Sequence, residues 1–534
     1  MPNSKMAGSK YGKTSERCLK DDNAPIDDNS EEFSAIKNSH FEEMLDTLGH
    51  FGRFQIRVFV ILTLMDLSTN SAGMLFIFSH YVPPWTCLRL AENASLPNDT
   101  NRLCSFNGSR CVLFDYDLTN ALTSIITEFN LVCELSYIPK LSVSLQMVGV
   151  FFGAMASGYL ADSIGRKKTL LGFAFFMMVS QFVVGFSDSW LIYSIIRTLT
   201  GFFTGGTLNI CFTLPIEFVG PKWRTFCACF VLYGLGKALM SLFAYSTRNW
   251  RHTAFITASI GIPLLPAIII WVPESVRWLT MKGRFKEADE IIRWMARTNK
   301  TQVPDLNLLR LIAAKDRREQ EKSRKHGYLD LFKTRKLAIQ TCIIIYCWFS
   351  CSAINYGISS MYSTFTGTVF VNAVVSSFVS IPADWSVIFV ANRFGRRRSF
   401  FFYMLIPITC MVAVVIIGAL NKAEDVGILT TMLVILGNCG ILSCWTLASI
   451  YSAEIYATVI RNLGCGAGSM GARIGGIIAP QIALLGQISY WIVPYVVYAF
   501  LAISTTLFVM IWLPETNKKP LKDSLRDAEE SPSC

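Results

Sequence analysis

Long apolar stretches recur along almost the whole chain and are separated by short polar segments. Each stretch is about 18 residues or longer, the length that an α-helix needs to cross a hydrocarbon core of roughly 30 Å. Lipid cannot hydrogen-bond to exposed backbone groups, so such stretches cross as helices. The pattern predicts an all-α membrane protein with twelve transmembrane spans, over residues 54–79, 138–161, 169–187, 190–214, 225–246, 254–272, 338–360, 367–391, 399–419, 426–451, 459–485 and 490–513.

A long polar interval in the middle divides the spans into two groups of six. Short loops rich in Lys and Arg fall on the same side of the bilayer as this interval, and such loops are cytoplasmic by the positive-inside rule. We therefore expect a cytoplasmic N-terminal segment, a six-helix half with a large extracellular loop, a basic cytoplasmic linker, a second six-helix half and a cytoplasmic tail, over residues 1–53, 54–272 (loop 80–137), 273–337, 338–513 and 514–534.

The composition supports a protein embedded in the lipid bilayer. The 534 residues are 52% hydrophobic and 16% charged, with a net charge of +11. Much of this excess lies in the linker, where a basic face near anionic lipid explains it better than a nucleic-acid site, because no nucleic-acid-binding fold accompanies it. The histidines lack metal-ligand spacing, and no nucleophile has a base partner. We expect no enzyme activity, no metal and no cofactor.

The large loop carries the chemistry of an extracellular segment. An even set of cysteines in an oxidising compartment predicts two disulfides with three possible connectivities, and N-x-S/T sequons are acceptor sites for glycosylation. The cysteines are Cys87, Cys104, Cys111 and Cys133, and the sequons begin at Asn93, Asn98 and Asn107. Both features predict a multi-pass glycoprotein of the plasma membrane.

The two halves repeat each other weakly. "GYLADSIGRKK" (158–168) follows the second span, and "IFVANRFGRRR" (388–398) follows the eighth. "IEFVGPKWR" (216–224) and "AEIYATVIR" (453–461) both place a glutamate seven residues before an arginine. Two matches in register indicate the parallel repeats of a secondary transporter.

These motifs also carry a family resemblance. "G-x-x-x-D-x-x-G-R-K-K" from Gly158 to Lys168 resembles the loop motif of the major facilitator superfamily. "FEEMLDTLGHFGRFQ", "TEFNLVC", "PESVRWL", "AEIYATVIRNLG" and "PETNKKPL" resemble, over nearly the whole chain, the organic cation, anion and carnitine transporters. The resemblance implies a major facilitator fold that carries small organic ions by alternating access. It also implies an inward-side latch, made of Asp162, Arg166, Asn392, Arg396, Glu217, Arg224, Glu454 and Arg461.

Charged residues inside the spans mark the candidate binding site. Such charges are costly in lipid and normally face a cavity or a partner. Counting about 1.5 Å per residue from the cytoplasmic ends places Asp66, Lys237, Asp384 and Arg473 roughly 12 to 20 Å deep, near the midplane. Similar depths predict one pair in each half, Asp66 with Lys237 and Asp384 with Arg473. Arg197 in the fourth span matches a superfamily motif and suits a structural role.

The pairs have two interpretations, either buried ion pairs that orient helices or groups for which a solute competes. By the family resemblance, Arg473 matches the arginine of the anion and carnitine branches, and Asp384 is an acid where the anion branch has a lysine. A zwitterion would suit both. Aromatic faces that bind organic ions complete the predicted site, with Trp348, Tyr356, Tyr233, Trp445 and Tyr451.

Three points stay open in the sequence. Sugar porters share the proline-glutamate loops, although they usually lack such an outer loop. A transport-inactive scaffold or sensor is the alternative from another class, for which Asn392 in place of an acid is the hint. A coupling ion or a counter-substrate, in addition to the small organic-ion substrate, is neither required nor excluded.

Overall fold

The computed structural model describes residues 47–91, 101, 103–106, 109–119, 122–220, 223, 227, 233–304, 328–420, 427–456 and 460–517. Within these residues every predicted span contains a helix, and we number the helices by span. Helices α1 to α5 are Arg53–Gly73, Tyr137–Ile164, Arg166–Val184, Trp190–Ile216 and Tyr233–Thr247, and α6 has two segments, Trp250–Ile260 and Leu264–Trp271. Helices α7 to α12 are Arg335–Ser359, Val369–Phe394, Arg396–Ala419, Gly427–Ile455, Arg461–Ile488 and Val493–Trp512.

Membrane-spanning character is clear for most of these helices. Over the described part of the chain, ten are long and apolar enough to cross a membrane, and α5 and α11 are not among them. Helix α5 is described only from Tyr233 onwards, and α11 is rich in glycine and contains Arg461 and Arg473. A membrane fold built from helices is therefore confirmed, while the count of twelve stays a prediction.

The sixth span differs from its prediction as one continuous helix. Its first segment ends at Ile260, and a turn at Gly261–Pro263 separates it from the second. Proline has no backbone N–H, and its ring clashes with the carbonyl oxygen four residues earlier, so Pro263 begins a new segment instead of continuing the old one.

Glycines bring helix backbones together within each half. A Cβ atom added at Gly153 on α2 would lie 1.8 Å from the carbonyl oxygen of Phe202 on α4. One added at Gly475 on α11 would lie 2.3 Å from the carbonyl oxygen of Phe349 on α7. Only glycine permits such approaches. The "GARIGG" segment around Arg473 is thus the surface along which α11 packs closely against α7.

The outer loop contains a small antiparallel sheet that the sequence pattern did not predict. Its strands are β1 (Trp85–Leu90), β2 (Ser105–Phe106) and β3 (Ser109–Tyr116), in the order β1-β3-β2. Two disulfides cross-link this region, Cys87–Cys111 and Cys104–Cys133. Both predicted bridges are present, and the structure selects one of the three connectivities.

Two linker helices, Val276–Met281 and Phe285–Asn299, follow α6 at the opposite end of the bundle. The Asn299 side chain accepts a hydrogen bond from the Phe54 backbone N–H (2.9 Å) and donates to the Leu48 carbonyl oxygen (2.8 Å). It thereby fixes the linker to the start of α1. We call this end of the bundle the linker side, and the end that carries β1–β3 the sheet side.

Candidate functional site

The two halves are held together on the sheet side. Lys140, near the start of α2, donates from Nζ to the carbonyl oxygen of Ser360, just after α7 (2.8 Å). Ser144, one turn further along α2, donates to the carbonyl oxygen of Ile477 on α11 (2.7 Å) and accepts from Gln481 Nε2 (3.0 Å). These bonds tie α2 of the first half to α7 and α11 of the second.

A second seam joins α5 of the first half to α8 of the second. On the sheet side, the ring of Phe370 on α8 stacks on Phe78 at a centroid distance of 5.6 Å and meets Tyr245 on α5 edge-on at 5.5 Å. Between described residues, the side-chain hydrogen bonds that cross from one half to the other lie on the sheet side or at mid-depth. The sheet side is therefore closed.

Arg197 on α4 is a structural cation. Its Nη1 donates to the carbonyl oxygen of Ala72 (3.1 Å) and to Gln181 Oε1 (3.0 Å). Its Nη2 donates to the carbonyl oxygen of Gly73 (3.3 Å) and to Gln146 Oε1 (2.7 Å). The two carbonyl groups end α1, where the helix dipole favours a cation. Arg197 thus links four helices of the first half, in agreement with a structural role.

The predicted pairing in the first half is wrong. Among described residues, no ion pair joins Asp66 to Lys237. Asp66 Oδ2 accepts from Asn70 Nδ2 on its own helix (3.1 Å). Lys237, fully buried, donates instead to Tyr362 Oη (3.2 Å) and Ser376 Oγ (3.0 Å) in the second half. Similar depth does not imply contact, because two side chains meet only if both also leave their helices in the right direction.

The predicted pairing in the second half is also wrong. No ion pair joins Asp384 to Arg473 within the described part of the chain. Arg473 instead lies beside the hydroxyl of Tyr356, and no described residue forms an ion pair with Asp384. Asp384 Oδ1 and Arg473 Nε are buried and have no hydrogen-bond partner in the protein. Each charged group therefore keeps unused bonding capacity, the expected state of a site that receives a ligand.

Three of the predicted aromatic residues form one cluster. Trp445 on α10 meets Trp348 edge-on at a centroid distance of 6.1 Å and Tyr356 at 6.3 Å. Tyr356 also interacts with Arg473, so the cluster lies beside the guanidinium group. Tyr233 on α5 faces it from the other half and accepts from Asn355 Nδ2 (3.4 Å).

Tyr451, the fifth predicted aromatic residue, belongs elsewhere. It is buried, and its hydroxyl donates to the carbonyl oxygen of Pro514, just after α12. It therefore packs on the linker side of the second half, against the residues that follow α12. Its position near the end of α10, six residues beyond Trp445, places it too far towards the linker side for the aromatic cluster.

On the linker side, the first half carries a cluster around the start of α3. Arg166 binds Asp162 Oδ1 through Nη2 (2.8 Å) and approaches Glu217 Oε1 through Nε (3.4 Å). Glu274 Oε1 accepts from the backbone N–H groups of Arg166 (2.8 Å) and Lys167 (3.1 Å). These N–H groups have no acceptor inside their own helix, so the carboxylate caps α3.

The second half repeats this cluster at the start of α9. Glu515 accepts from the backbone N–H groups of Arg396 (2.8 Å) and Arg397 (3.1 Å). Glu454 Oε1 and Oε2 accept from Arg396 Nη2 (2.7 Å) and Nε (2.9 Å). Asn392, the neutral counterpart of Asp162, accepts from Arg396 Nη1 at 3.4 Å. The predicted repeat is thus visible in three dimensions, and the ion pairs between described latch residues, Arg166 with Asp162 and Glu217 and Arg396 with Glu454, each lie inside one half.

Some functional side chains were missed by the sequence analysis. Lys140, Tyr362 and Ser376 make cross-half bonds, yet a lysine near a span end and two hydroxyl groups carry no distinctive pattern. Glu274 and Glu515 belong to the motifs "PESVRWL" and "PETNKKPL", which carry the family resemblance but received no structural role. A Pro-Glu pair at matching places in both halves is the signal that could have indicated such a role.

The remaining predicted residues divide into two groups. Arg461 lies in the described part and begins α11. Four others lie outside the described residues, the latch residue Arg224 and the predicted glycosylation sites Asn93, Asn98 and Asn107.

Comparison with known proteins identifies the family. The profile of the family described as "Sugar (and other) transporter" matches residues 112–527. The chain is 30% identical to the organic cation transporter protein of Drosophila melanogaster, over 92% of this chain and 94% of that protein. It is 29% identical to human solute carrier family 22 member 13 (92% and 94%) and 27% identical to human organic cation/carnitine transporter 2 (91% and 93%).

The fold is also found among solved structures. The inward-open xylose transporter XylE from E. coli superposes with a TM-score of 0.62 at 14% identity, over 88% of this chain and 98% of that chain. This similarity shows the major facilitator fold, and the sequence relatives favour organic ions over sugars as its cargo. The chain belongs to the organic cation, anion and carnitine transporters of the major facilitator superfamily, and it is a membrane transporter of small organic ions and not an enzyme.

Proposed function

We propose that the chain is a polyspecific transporter that favours organic anions and carnitine-like zwitterions. The observation that carries the proposal is that Arg473 and Asp384 are not paired with each other and that each keeps a buried atom without a partner. One cation and one acid that do not bind each other suit a solute that carries a carboxylate and an amine.

The chemistry of each group fits this cargo. The planar guanidinium group of Arg473 can hold two carboxylate oxygens at once. Asp384 attracts an ammonium group, and the cluster of Trp348, Trp445 and Tyr356 offers aromatic faces that attract cations and apolar rings. Aromatic contacts impose little geometry, which supports broad specificity.

The closed sheet side supports an assignment of this conformation within the transport cycle. We assign this side to the cell exterior, because it carries the disulfides, and the linker side with both termini to the cytoplasm of a plasma-membrane protein. The conformation then faces inward. In the outward-facing state the bonds from Lys140 and Ser144 to the second half would break as the halves rock about the midplane site.

The test is uptake into cells of labelled anions, cations and zwitterions, at two pH values and with sodium removed. Arg473→Ala should reduce uptake of anions and zwitterions by roughly tenfold to hundredfold, the cost of losing charge-assisted hydrogen bonds to a carboxylate. Arg473→Lys keeps the charge without the fork and should retain part of the uptake. Arg89→Gln, on the exposed face of β1, is the matched control for loss of an arginine.

Three results would contradict the proposal. Unchanged uptake in Arg473→Ala at normal surface expression would remove the role of the guanidinium group. Uptake of cations alone would reverse the charge preference. Binding without accumulation in the unmodified chain would indicate a sensor.

A further inference from the structure

Lys140 is a buried cation of the first half that contacts the end of a helix in the second half. Among the residues that the structure describes, its ammonium group has one hydrogen-bond acceptor, the carbonyl oxygen of Ser360 (2.8 Å), and the residue is only 7% exposed. Ser360 directly follows α7, at the end where the helix dipole concentrates partial negative charge. Lys140 therefore caps α7 across the boundary between the halves.

No described acid balances the charge of Lys140. Within the described part of the chain, no ion pair includes this residue. Glu134 and Glu128, the acidic residues that precede it most closely in the sequence, are already bound to Arg110 and Arg251. A helix end supplies only about half of a unit charge, and an ammonium group can donate three hydrogen bonds. Lys140 thus retains the capacity to bind a full negative charge.

The bond from Lys140 must break when the sheet side opens. We call the space between α2 and the facing parts of α7 and α11 on this side the outer entrance. Ser144, one turn deeper on α2, makes the neighbouring contacts, to the Ile477 carbonyl oxygen (2.7 Å) and to Gln481 Nε2 (3.0 Å). Water replaces such neutral bonds at little net cost. Lys140, in contrast, then presents a full positive charge to the outer entrance.

We infer that Lys140 is the residue of the outer entrance that first binds the negative group of an incoming organic anion, in exchange for the end of α7. A carboxylate forms a charge-assisted hydrogen bond with an ammonium group, which is stronger than a bond to a neutral carbonyl group. The contact acts only from outside, because Ser360 holds the ammonium group in the present conformation. The inference rests on the proposed function, since it supposes an anionic cargo and an extracellular sheet side.

A cysteine reporter below Lys140 tests this role without a known substrate. Met147 lies seven residues further along α2, about two turns deeper on the same face. It is buried, and its sulfur would lie 3.5 Å from a Cβ atom at Gly476 on α11. Met147→Cys is labelled from outside with two membrane-impermeant methanethiosulfonate reagents, one carrying a sulfonate and one a trimethylammonium group. Both need an open entrance, so the ratio of their rates cancels changes in opening and reports the charge along the path.

In this background, Lys140→Gln should lower the ratio of the anionic to the cationic labelling rate roughly fivefold, as expected for one charge about 10 Å away in a partly hydrated entrance. Lys140→Arg keeps the charge and should keep the ratio. Ser144→Ala removes a neutral closing contact, so it should raise both rates and leave the ratio unchanged. Arg89→Gln removes an exposed cation from β1 on the same side of the membrane and is the matched control, with no change in the ratio.

Three outcomes would overturn the inference. An unchanged ratio in Lys140→Gln would reduce Lys140 to a closing contact, and an equal fall in Arg89→Gln would assign the effect to general surface charge. A reporter that neither reagent reaches in any variant would mean that the sheet side does not open to the exterior. Rates are compared per molecule at the cell surface, with the chain lacking the reporter cysteine as background. Because labelling does not require transport, a negative uptake experiment on Arg473 would leave this result intact, and the two failures can be told apart.

Discussion

The two halves of the protein contain related helices but treat their buried charges differently. In the first half, Arg197 donates to four acceptors, and Asp66 bonds to Asn70. In the second half, Asp384 Oδ1 has no partner in the protein, and Nε of Arg473 has none either, as is also true of Nε of Arg197, so the two arginines differ in the four bonds that Nη1 and Nη2 of Arg197 make. A buried charge that its own protein satisfies supports the fold, whereas one with capacity to spare can bind something else. We therefore expect the buried charges of the first half to stabilise the fold and those of the second half to bind the solute.

On the linker side the order is reversed. Glu454 binds Arg396 through both carboxylate oxygens, while Glu217 meets Arg166 through one contact at 3.4 Å and its Oε2 has no partner. The contact between Arg396 and Glu454 is therefore tighter than the matching contact between Arg166 and Glu217.

The sharpest test of the comparison exchanges each intramembrane arginine for methionine. Arg197→Met should lower the free energy of unfolding by about 3 kcal/mol or more, because it removes four charged hydrogen bonds and leaves two buried amide oxygens without donors. Arg473→Met should change stability by less than about 1 kcal/mol, since it removes a guanidinium group that is already underused. Thermal unfolding in detergent and the amount at the cell surface measure both. Equal losses in the two variants would contradict the division of roles.

The sequence predicts which residues are the buried charges better than it predicts the partners of those charges. Apolar length identifies the helices, and the cost of charge in lipid singles out Asp66, Lys237, Asp384 and Arg473. The partners could not be predicted, because axial depth follows from residue counting but rotation about the helix axis is set by packing. Lys237 crosses to Tyr362 and Ser376 for that reason. The outer sheet was missed since its strands are short and lie among disulfides and turns.

A smaller effect is expected at the latch glutamates, which are similarly buried at 18% exposure for Glu217 and 21% for Glu454. Glu454→Gln should destabilise the protein by about 1–3 kcal/mol, because it breaks a two-point ion pair and weakens the bond from Thr516 Oγ1. Glu217→Gln should cost less than about 1 kcal/mol. Melting temperatures of the two purified variants provide the measurement. A larger loss for Glu217→Gln would show that its single long contact understates its role.

The smallest effect is predicted for Asn392→Asp, which restores the acid of the loop motif in the second half. The matching acid in the first half, Asp162, binds Arg166 at 2.8 Å, but its side chain is 75% exposed. Exposed ion pairs contribute little, so the new carboxylate should add at most about 0.5 kcal/mol. Arg396 is already held by Glu454 and by Asn517 Oδ1 (2.8 Å), which leaves little for a further acid to improve.

Transport by the Asn392→Asp variant distinguishes a harmless substitution from a loss of function. If the neutral Asn392 is tolerated because Glu454 already holds Arg396, uptake by Asn392→Asp should match that of the unmodified chain. Asp162→Asn should then change uptake equally little. A several-fold gain of uptake in Asn392→Asp would instead mean that the missing acid holds the unmodified chain back. The scaffold or sensor interpretation would then gain support, because the chain would carry a complete binding site and an impaired latch.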